Sequence, residues 1–341
     1  MEITELDELL RRLAETNGVG YSGRIRETIV EELRKLDIDG EITRDGSVYA
    51  FLKGAREKNV LITAHLDEIG FIVDYIEDNG FIRFKEIGGT DVRILPGQEV
   101  IIMGKRDIKG YIGVMPPHLL SKEEREKVLP VDKLFIDTGL KKRELKRFVN
   151  IGDLIAFAGK YLRLKNDFRS GKGLDNRASI ACSIMAIGEL KKAGAPCNVH
   201  FLGASQEEFT GLGAKIHSYR LPIDYAIVID VTHGEHPELK EEECYQLNKG
   251  PVITRGPTIP KKLFKMLVET AKESEIPYQI EPAPIRTYTD AEAIAFNKEG
   301  IPTCVLGIPL RYMHTPVEVV CLKDIELTAR LIINFIKKFG D

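Results

Sequence analysis

Six side chains of the types that bind divalent metal ions occur after predicted strands or at the start of a predicted helix. They are His65, Asp175, Glu207, Glu208, Asp230 and His314. Imidazole nitrogens and carboxylate oxygens are donors that zinc and similar ions accept from proteins. Taken singly, each histidine and the pair Glu207 and Glu208 are typical of surface positions, and Asp175 is typical of a helix cap. Taken together, they indicate a metal site, provided that the fold brings them together.

The predicted elements explain how these side chains would meet. His65 follows the apolar stretch "NVLITA", Asp230 ends "YAIVID", and Asp175 lies just before a predicted helix. All but Asp175 follow strands of a predicted parallel sheet, and the carboxyl ends of such strands form the ligand crevice of an open α/β fold. A carboxylate that ends a strand as apolar as that of Asp230 is costly unless it is paired or binds a metal.

The spacing of apolar residues changes twice along the chain and predicts the fold class. Residues 1–67 and 165–341 alternate between helical and strand patterns, which is typical of an α/β fold with a mixed, mostly parallel sheet flanked by helices. Residues 68–164 instead show short strands separated by turn signals every 8 to 12 residues or so. This middle part predicts a small β-barrel domain inserted into the first one.

Composition excludes several classes of function. The net charge is −3 and no basic stripe is interleaved with aromatic residues, which argues against nucleic-acid binding. No apolar run approaches the roughly 18–20 residues of a membrane span, and the acidic N-terminus is unlike a signal peptide. The five cysteines form no CxxC pair and are typical of reduced thiols. We therefore expect a cytoplasmic protein, and its many Lys and Glu residues slightly favour a thermophilic source.

The sequence resembles the TET-type metallo-aminopeptidases, a branch of the dinuclear-zinc exopeptidases, over nearly its whole length. Six stretches carry the resemblance, in the order "AHLDEIGF", "GKGLDNR", "SQEEFTGLGA", "VIDVTH", "YTDAEAI" and "GIPLRYMHTPVEV". The middle part also matches, in "GYIGVMPPHLLSKEEREKV" and "KLFIDTGL". Six separate motifs in the right order are far more specific than one short pattern.

The resemblance implies a cofactor of two divalent metal ions per subunit, most readily zinc, with cobalt as the alternative. Asp175 resembles the carboxylate that bridges the two ions. The remaining protein ligands would be His65 and Asp230 for one ion, and Glu208 and His314 for the other.

The resemblance also implies an activity, the release of the N-terminal residue from peptides. Two ions about 3.5–4 Å apart lower the pKa of a water that they share. Glu207 resembles the general base that takes a proton from this water and later delivers it to the leaving amine. Asp67 resembles the carboxylate that accepts the other N–H of the His65 imidazole. For Glu68 we expect a structural role at the junction of the domains.

The sequence says less about which N-terminal residue of a peptide is preferred than about the metal site. Three residues close to the ligands in sequence, His233, Arg286 and Arg311, are candidates to line the pocket for the first side chain of the peptide. We expect a broad or neutral preference, with cleavage after an N-terminal glutamate as the alternative because a positive charge there would favour acidic residues.

Three other functions remain open at this point. A deacylase, dipeptidase or carboxypeptidase would keep the metal ligands and change the pocket. A glycosidase would place two carboxylates on opposite sides of a sugar, which fits the adjacent Glu207 and Glu208 poorly. A non-catalytic scaffold would use its ions for folding alone, but it would have no need of Glu207, which is not required as a ligand.

The resemblance finally implies partners and assembly. Peptides would be the substrates, and neither a nucleic acid nor a membrane is expected as a partner. The subunits would form dimers through the inserted β-barrel domain, and the dimers would build a hollow tetrahedral dodecamer.

Overall fold

The computed structural model describes residues 1–21 and 23–339. Within these residues, seventeen strands are formed: Gly40–Ile42 (β1), Val48–Leu52 (β2), Arg56–His65 (β3), Gly70–Ile76 (β4), Ile82–Ile87 (β5), Glu99–Met103 (β6), Asp107–Gly113 (β7), Phe135–Asp137 (β8), Leu154–Phe157 (β9), Leu162–Arg163 (β10), Phe168–Gly171 (β11), Cys197–Ala204 (β12), Tyr225–His233 (β13), Val252–Arg255 (β14), Gln279–Pro282 (β15), Thr303–Arg311 (β16) and Glu318–Cys321 (β17).

The same described ranges contain nine α-helices: Ile3–Glu15 (α1), Ile25–Lys35 (α2), Lys122–Arg125 (α3), Lys142–Leu145 (α4), Leu174–Ala193 (α5), Leu212–Arg220 (α6), Lys261–Glu273 (α7), Ala291–Ala295 (α8) and Leu322–Lys337 (α9). Among the residues that the structure describes, none of these helices combines the length and the apolarity that crossing a bilayer requires.

A large mixed sheet forms the main layer of the molecule. Its strand order is β1-β2-β12-β3-β13-β16-β17-β11-β10. In addition, β14 pairs with β16, and β15 pairs with β14. The central strands β12, β3, β13 and β16 run parallel to one another, so their carboxyl ends meet at one edge. The prediction of a mixed, mostly parallel α/β sheet is therefore confirmed.

Both faces of this sheet are covered by helices. Alternate residues of a strand point to opposite faces, and β3 shows this directly. Val60 and Ile62 pack in the larger core with α1, α5 and α9, whereas Leu61 packs in a smaller core with α6 and α8. Burial on both faces explains why β3 is a continuous apolar run in the sequence.

A second unit is a closed antiparallel barrel with the strand order β4-β5-β8-β7-β6-β9. Its own core contains Phe71, whose ring meets those of Phe84 and Phe157 edge to face at 5.0 and 5.2 Å between centroids. The predicted small β-barrel is thus present. The domain limits of 68 and 164 and the role of the barrel in dimerisation stay predictions.

A buried ion cluster ties α1 to the hairpin of β10 and β11. The Asp7 carboxylate accepts two hydrogen bonds from Arg169, at 2.8 and 3.0 Å. It also accepts one from the Tyr161 hydroxyl at 2.6 Å and one from the Arg163 Nε at 2.9 Å. Removing one partner of a buried pair is costly because the other charge is then left without compensation.

We expect Asp7→Ala to lower the free energy of unfolding by about 3–5 kcal/mol, because the guanidinium of Arg169 would stay buried without its counter-charge. Guanidinium-induced unfolding followed by circular dichroism measures this change. The matched control is Asp39→Ala, since Asp39 is exposed, and its effect should stay within about 0.5 kcal/mol. If Asp7→Ala and Asp39→Ala lowered the free energy of unfolding equally, the buried cluster around Asp7 would not stabilise the fold as proposed.

Candidate metal centre

Two groups of potential metal ligands lie at the carboxyl edge of the sheet and share one residue. The first group is His65, Asp175 and Asp230, and the second is Asp175, Glu208 and His314. In each group, one donor atom per residue lies within 4.8 Å of the others. The structure therefore brings together all five side chains for which the sequence suggested a ligand role.

Distances show how Asp175 is shared. The Nε2 of His65 lies 3.1 Å from Asp175 Oδ1 and 3.7 Å from Asp230 Oδ1. The Nε2 of His314 lies 3.4 Å from Asp175 Oδ2 and 3.4 Å from Glu208 Oε2. The two oxygens of Asp175 thus face different groups, which is the arrangement of a carboxylate that bridges two cations.

The sheet register explains why two of the ligands are neighbours. Strands β13 and β3 are parallel, with Val228 opposite Thr63. Two residues further along each strand, Asp230 and His65 therefore come side by side, pointing to the same face. Asp175 reaches them from the first residues of α5, which packs on β3 and β13.

Glu207 lies next to the ligands without belonging to either group. It follows β12 in a short loop, and its Oε2 lies 4.0 Å from the His65 Nε2. Burial, opposed by the charge of His65 and reinforced by that of Asp230, raises the pKa of Glu207. A carboxylate with a raised pKa beside a ligand set suits proton transfer.

Asp67 differs in part from its predicted role. The Nδ1 of His65 lies 3.2 Å from the backbone carbonyl of Asp67 and 3.8 Å from its carboxylate. The carboxylate instead accepts hydrogen bonds from the backbone N–H groups of Glu207 and Glu208, at 3.1 and 3.3 Å. The imidazole is therefore oriented by a main-chain oxygen, and the Asp67 side chain fixes the loop that carries Glu207 and Glu208.

Sequence reasoning missed a buried carboxylate with a similar function. Glu318 on β17 accepts hydrogen bonds from the backbone N–H groups of Asp175 and His314, at 3.0 and 2.9 Å. Burial and the nearby charge of Asp175 raise the pKa of Glu318 well above its usual value. It lies in the quoted motif "GIPLRYMHTPVEV", but nothing in that motif shows that its side chain reaches Asp175.

Glu68 has structural contacts at the start of the barrel. Its carboxylate is paired with the Lys172 ammonium at 2.8 Å, and both side chains are buried. It also accepts a hydrogen bond from the Gly18 backbone N–H at 2.8 Å. These contacts agree with the structural role expected for Glu68.

The electrostatics of the cluster fit divalent cations. Burial and the charge of Asp175 raise the pKa of Glu208 well above its usual value. Burial also raises the pKa of Asp230, although its hydrogen bond with His65 opposes the shift. Crowded, buried carboxylates are costly unless positive charge compensates them. Two divalent ions shared through Asp175 would supply that charge, and the nitrogen and oxygen donors suit such ions.

The ligand cluster opens into a cavity of about 1210 Å³. His233 and Arg286 line this cavity, as predicted, and both are exposed. Arg311 is not among the described residues that line it. Its Nε donates a hydrogen bond to the Glu235 carbonyl at 2.6 Å, its Nη2 pairs with the Glu235 carboxylate at 3.1 Å, and its guanidinium lies 5.5 Å from the Phe168 ring centroid. Arg311 was predicted to line the pocket, but in the structure it is paired with Glu235 instead.

Three more carboxylates of the described residues line the cavity and were not assigned a role from the sequence, namely Glu281 on β15, Asp290 just before α8 and Glu292 in α8. Asp290 is buried, and neither of its carboxylate oxygens has a hydrogen-bond partner among the described residues. Burial and the charge of Glu207 raise the pKa of Asp290 well above its usual value. Asp290 belongs to the quoted motif "YTDAEAI", whereas the strand of Glu281 carries no such signal.

Comparison with known proteins agrees with this site. A sequence model of the M42 glutamyl aminopeptidase family matches residues 46–331. The lysyl aminopeptidase of Pyrococcus furiosus is 34% identical over 331 residues, covering 95% of this chain and 94% of the relative. The TET aminopeptidase of a marine sediment archaeon, Thaumarchaeota archaeon SCGC AB-539-E09, superposes with a TM-score of 0.92 at 29% identity, covering 98% and 96% of the two chains. The TET1 peptidase of Pyrococcus horikoshii can assemble into a tetrahedron or a large octahedral shell. It superposes with a TM-score of 0.85 at 30% identity, covering 96% of this chain and 98% of the TET1 chain.

The loop that carries Glu207 begins at a second buried polar cluster. Asp45, in the turn between β1 and β2, lies 3.1 Å from the Nε2 of His217 and accepts a hydrogen bond from the Ser47 hydroxyl. The Ser205 backbone N–H donates to the Ser47 hydroxyl oxygen at 3.1 Å, and the Ser205 hydroxyl donates to the Asp45 carbonyl at 2.9 Å. This cluster anchors the chain two residues before Glu207.

The cluster makes stability depend on pH in the acid range. Burial alone would raise the pKa of Asp45, but hydrogen bonds from His217, Ser47 and Thr43 outweigh it and hold that pKa well below its usual value. The ionised carboxylate therefore stabilises the fold above the unfolded-state pKa of about 3.9. This contribution is lost as the pH falls towards the lower folded-state pKa.

We expect Asp45→Asn to lower the free energy of unfolding at pH 7 by about 1.5–3 kcal/mol, because hydrogen bonds to a charged group are lost. The difference from the wild type should shrink as the pH falls from about 4 towards 2, because the unfolded wild type then binds a proton at Asp45 that the folded carboxylate does not. Denaturant unfolding at a series of pH values measures both effects, with the exposed Asp39→Asn as control. A difference that stays constant over this pH range would refute the role given to the Asp45 charge.

Proposed function

The chain belongs to the M42 glutamyl aminopeptidase family and is a metal-dependent aminopeptidase, and we propose that it holds two divalent ions with the five ligands grouped around Asp175. In this proposal it removes the N-terminal residue from peptides, and Glu207 is the general base. The site residues, the number of ions and the mechanism are parts of the proposal. Zinc is the metal that we favour, and the same donors also suit cobalt.

The shared position of Asp175 is the observation that supports two ions rather than one. Each of its oxygens faces a different histidine, at 3.1 Å for His65 and 3.4 Å for His314. Asp230 and Glu208 then complete one group each. Main-chain hydrogen bonds accepted by neighbouring carboxylates hold these residues in place before any substrate arrives, and such preorganisation is what a catalytic metal site requires.

When bound, the two ions would act as Lewis acids that polarise the peptide carbonyl and lower the pKa of water in the site. Glu207 lies where it can accept a proton, because its Oε2 is 4.0 Å from the His65 Nε2 and the side chain lines the cavity. Its raised pKa favours holding that proton until it is passed to the leaving amine nitrogen. Asp67 contributes by fixing the Glu207 backbone N–H at 3.1 Å.

We also propose that the chain forms a homo-oligomer of dimers, up to a dodecamer. This proposal rests on the related TET1 structures, of which one is a dodecamer and another is described as a tetrahedron or a large octahedral shell. We expect size-exclusion chromatography with light scattering to give about twelve times the subunit mass of 38.3 kDa. A single species of one subunit would rule the proposal out.

The central test is Glu207→Gln assayed on short peptides, each prepared with a free and with an N-acetylated amino group. We expect the metal-loaded wild type to release only the first residue, and only from the free peptides. Glu207→Gln should lower kcat by about 10²- to 10⁴-fold, because proton transfer by a positioned side chain contributes about this much. The variant should still retain two divalent ions per subunit, since Glu207 belongs to neither ligand group.

Controls separate the possible outcomes of this test. Glu269→Gln removes an exposed carboxylate on α7 and should leave activity unchanged. Treatment of the wild type with a chelator should abolish release, and added zinc or cobalt should restore it. If free peptides stay intact while acylated amines or dipeptides are cleaved, the chain is a different amide hydrolase on the same core, and the aminopeptidase mechanism is disproved.

A further inference from the structure

We infer that the cavity selects peptides whose first residue has a cationic side chain, lysine or arginine, and that Glu281 is the residue that recognises this charge. The inference rests on the aminopeptidase function proposed above and adds the class of substrate. It replaces the broad or neutral preference that the sequence suggested.

The Glu281 carboxylate is held at the wall of the cavity by two neutral donors. The Thr232 hydroxyl donates to its Oε1 at 2.8 Å, and the Thr254 hydroxyl donates to its Oε2 at 3.0 Å. Among the described residues, no cation joins these two hydroxyls as a partner of the carboxylate. Each oxygen thus keeps a lone pair for a further donor, while the side chain is fixed in orientation.

The position of Glu281 relative to the ligands suits a long side chain. Thr232 lies two residues beyond Asp230 on β13, so the two side chains point to the same face about 6.6 Å apart along the strand. Glu281 is bonded to Thr232 on that face and lines the same cavity as Asp230. A peptide whose first amide lies at the ligand cluster would therefore extend its first side chain past Thr232. The four-carbon stem of lysine, or the guanidinium of arginine, can span such a gap.

The other charges of the cavity favour the same conclusion. Beyond the ligands, its basic groups are Lys215, His233 and Arg286, and all three side chains are exposed. Water and salt screen exposed charges strongly. Glu281 is half-buried, so its negative charge is less screened than theirs. An acidic first residue would meet like charge there, whereas a basic one would meet opposite charge.

Glu292 differs from Glu281 in its hydrogen-bond partners. Glu292 also lines the cavity, but it accepts hydrogen bonds from the backbone N–H and the hydroxyl of Thr287 and from the backbone N–H of Thr289. It therefore holds the loop before α8 in shape. Among the described residues, the Glu281 side chain is hydrogen-bonded only to the hydroxyls of Thr232 on β13 and Thr254 on β14. A glutamine at position 281 could keep most of these hydrogen bonds.

The test compares kcat/KM for p-nitroanilides of Lys, Arg, Leu and Glu with the metal-loaded enzyme. We expect the wild type to prefer Lys and Arg over Leu, and Glu to be the poorest. Glu281→Gln should lower kcat/KM for Lys and Arg by about ten- to hundredfold, because the desolvated cation of the substrate loses its partner. The value for Leu should change by less than about threefold, since that substrate makes no charge contact.

Further variants exclude a purely structural role for Glu281. Glu281→Asp should keep most of the preference for Lys, and Glu281→Lys should shift the preference towards Glu. Glu269→Gln removes an exposed carboxylate on α7 that is not among the described residues lining the cavity, and it should leave the ratio of Lys to Leu unchanged. Equal losses on Lys and Leu in Glu281→Gln would show that the residue only supports the fold, and the inference would be overturned.

Failure of the inference and failure of the proposed function give different results. If Leu is released but Lys and Arg are not preferred over it, the aminopeptidase function stands and the role of Glu281 is refuted. The same holds if Glu281→Gln leaves the ratio of kcat/KM for Lys or Arg to that for Leu unchanged. If no free amino acid is released from any of the four substrates or from unblocked peptides, the proposed function fails and the inference falls with it.

Discussion

The structure depends on one electrostatic constraint, the close approach of several carboxylates at one buried edge of the sheet. Like charges at such distances disfavour one another's ionised forms, and burial removes the water that would otherwise stabilise them. The histidines His65 and His314 meet part of this cost by facing the two oxygens of Asp175. The remainder explains why the cluster suits divalent cations and why it sits where several strands and helices can hold it rigidly.

Two of the carboxylates around the site act through the main chain. Asp67 accepts the backbone N–H groups of Glu207 and Glu208, and Glu318 accepts those of Asp175 and His314. In this way, residues far apart in sequence are fixed relative to one another without using their side chains, which stay available for metal and substrate. Such contacts use only the backbone of the four residues that they position, so they would persist if those side chains were replaced.

The sequence was sufficient for the elements with a clear periodicity and insufficient for contacts between distant segments. The parallel strands were predictable because β3 and β13 are buried on both faces and read as apolar runs, and the barrel was predictable from its short alternating strands. The candidate ligands could be anticipated because all of them except Asp175 follow predicted strands, and the family resemblance supplied the role expected of each. Glu318 could not, since its bond to the Asp175 backbone spans 143 positions. Arg311 was misplaced for the same reason, because Glu235 lies 76 positions away and captures its guanidinium.

The junction between the sheet and the barrel has a mechanical consequence. Strand β3 ends at His65 and β4 of the barrel begins at Gly70, so only four residues separate a candidate ligand from a unit with its own core. The buried pair of Glu68 with Lys172, together with the Gly18 contact, lies within this short connection. A force applied to the barrel would therefore be resisted at Glu68 before it could displace His65. Because Lys172 lies three residues before Asp175, the Glu68 pair also couples this connection to the segment that carries the shared carboxylate.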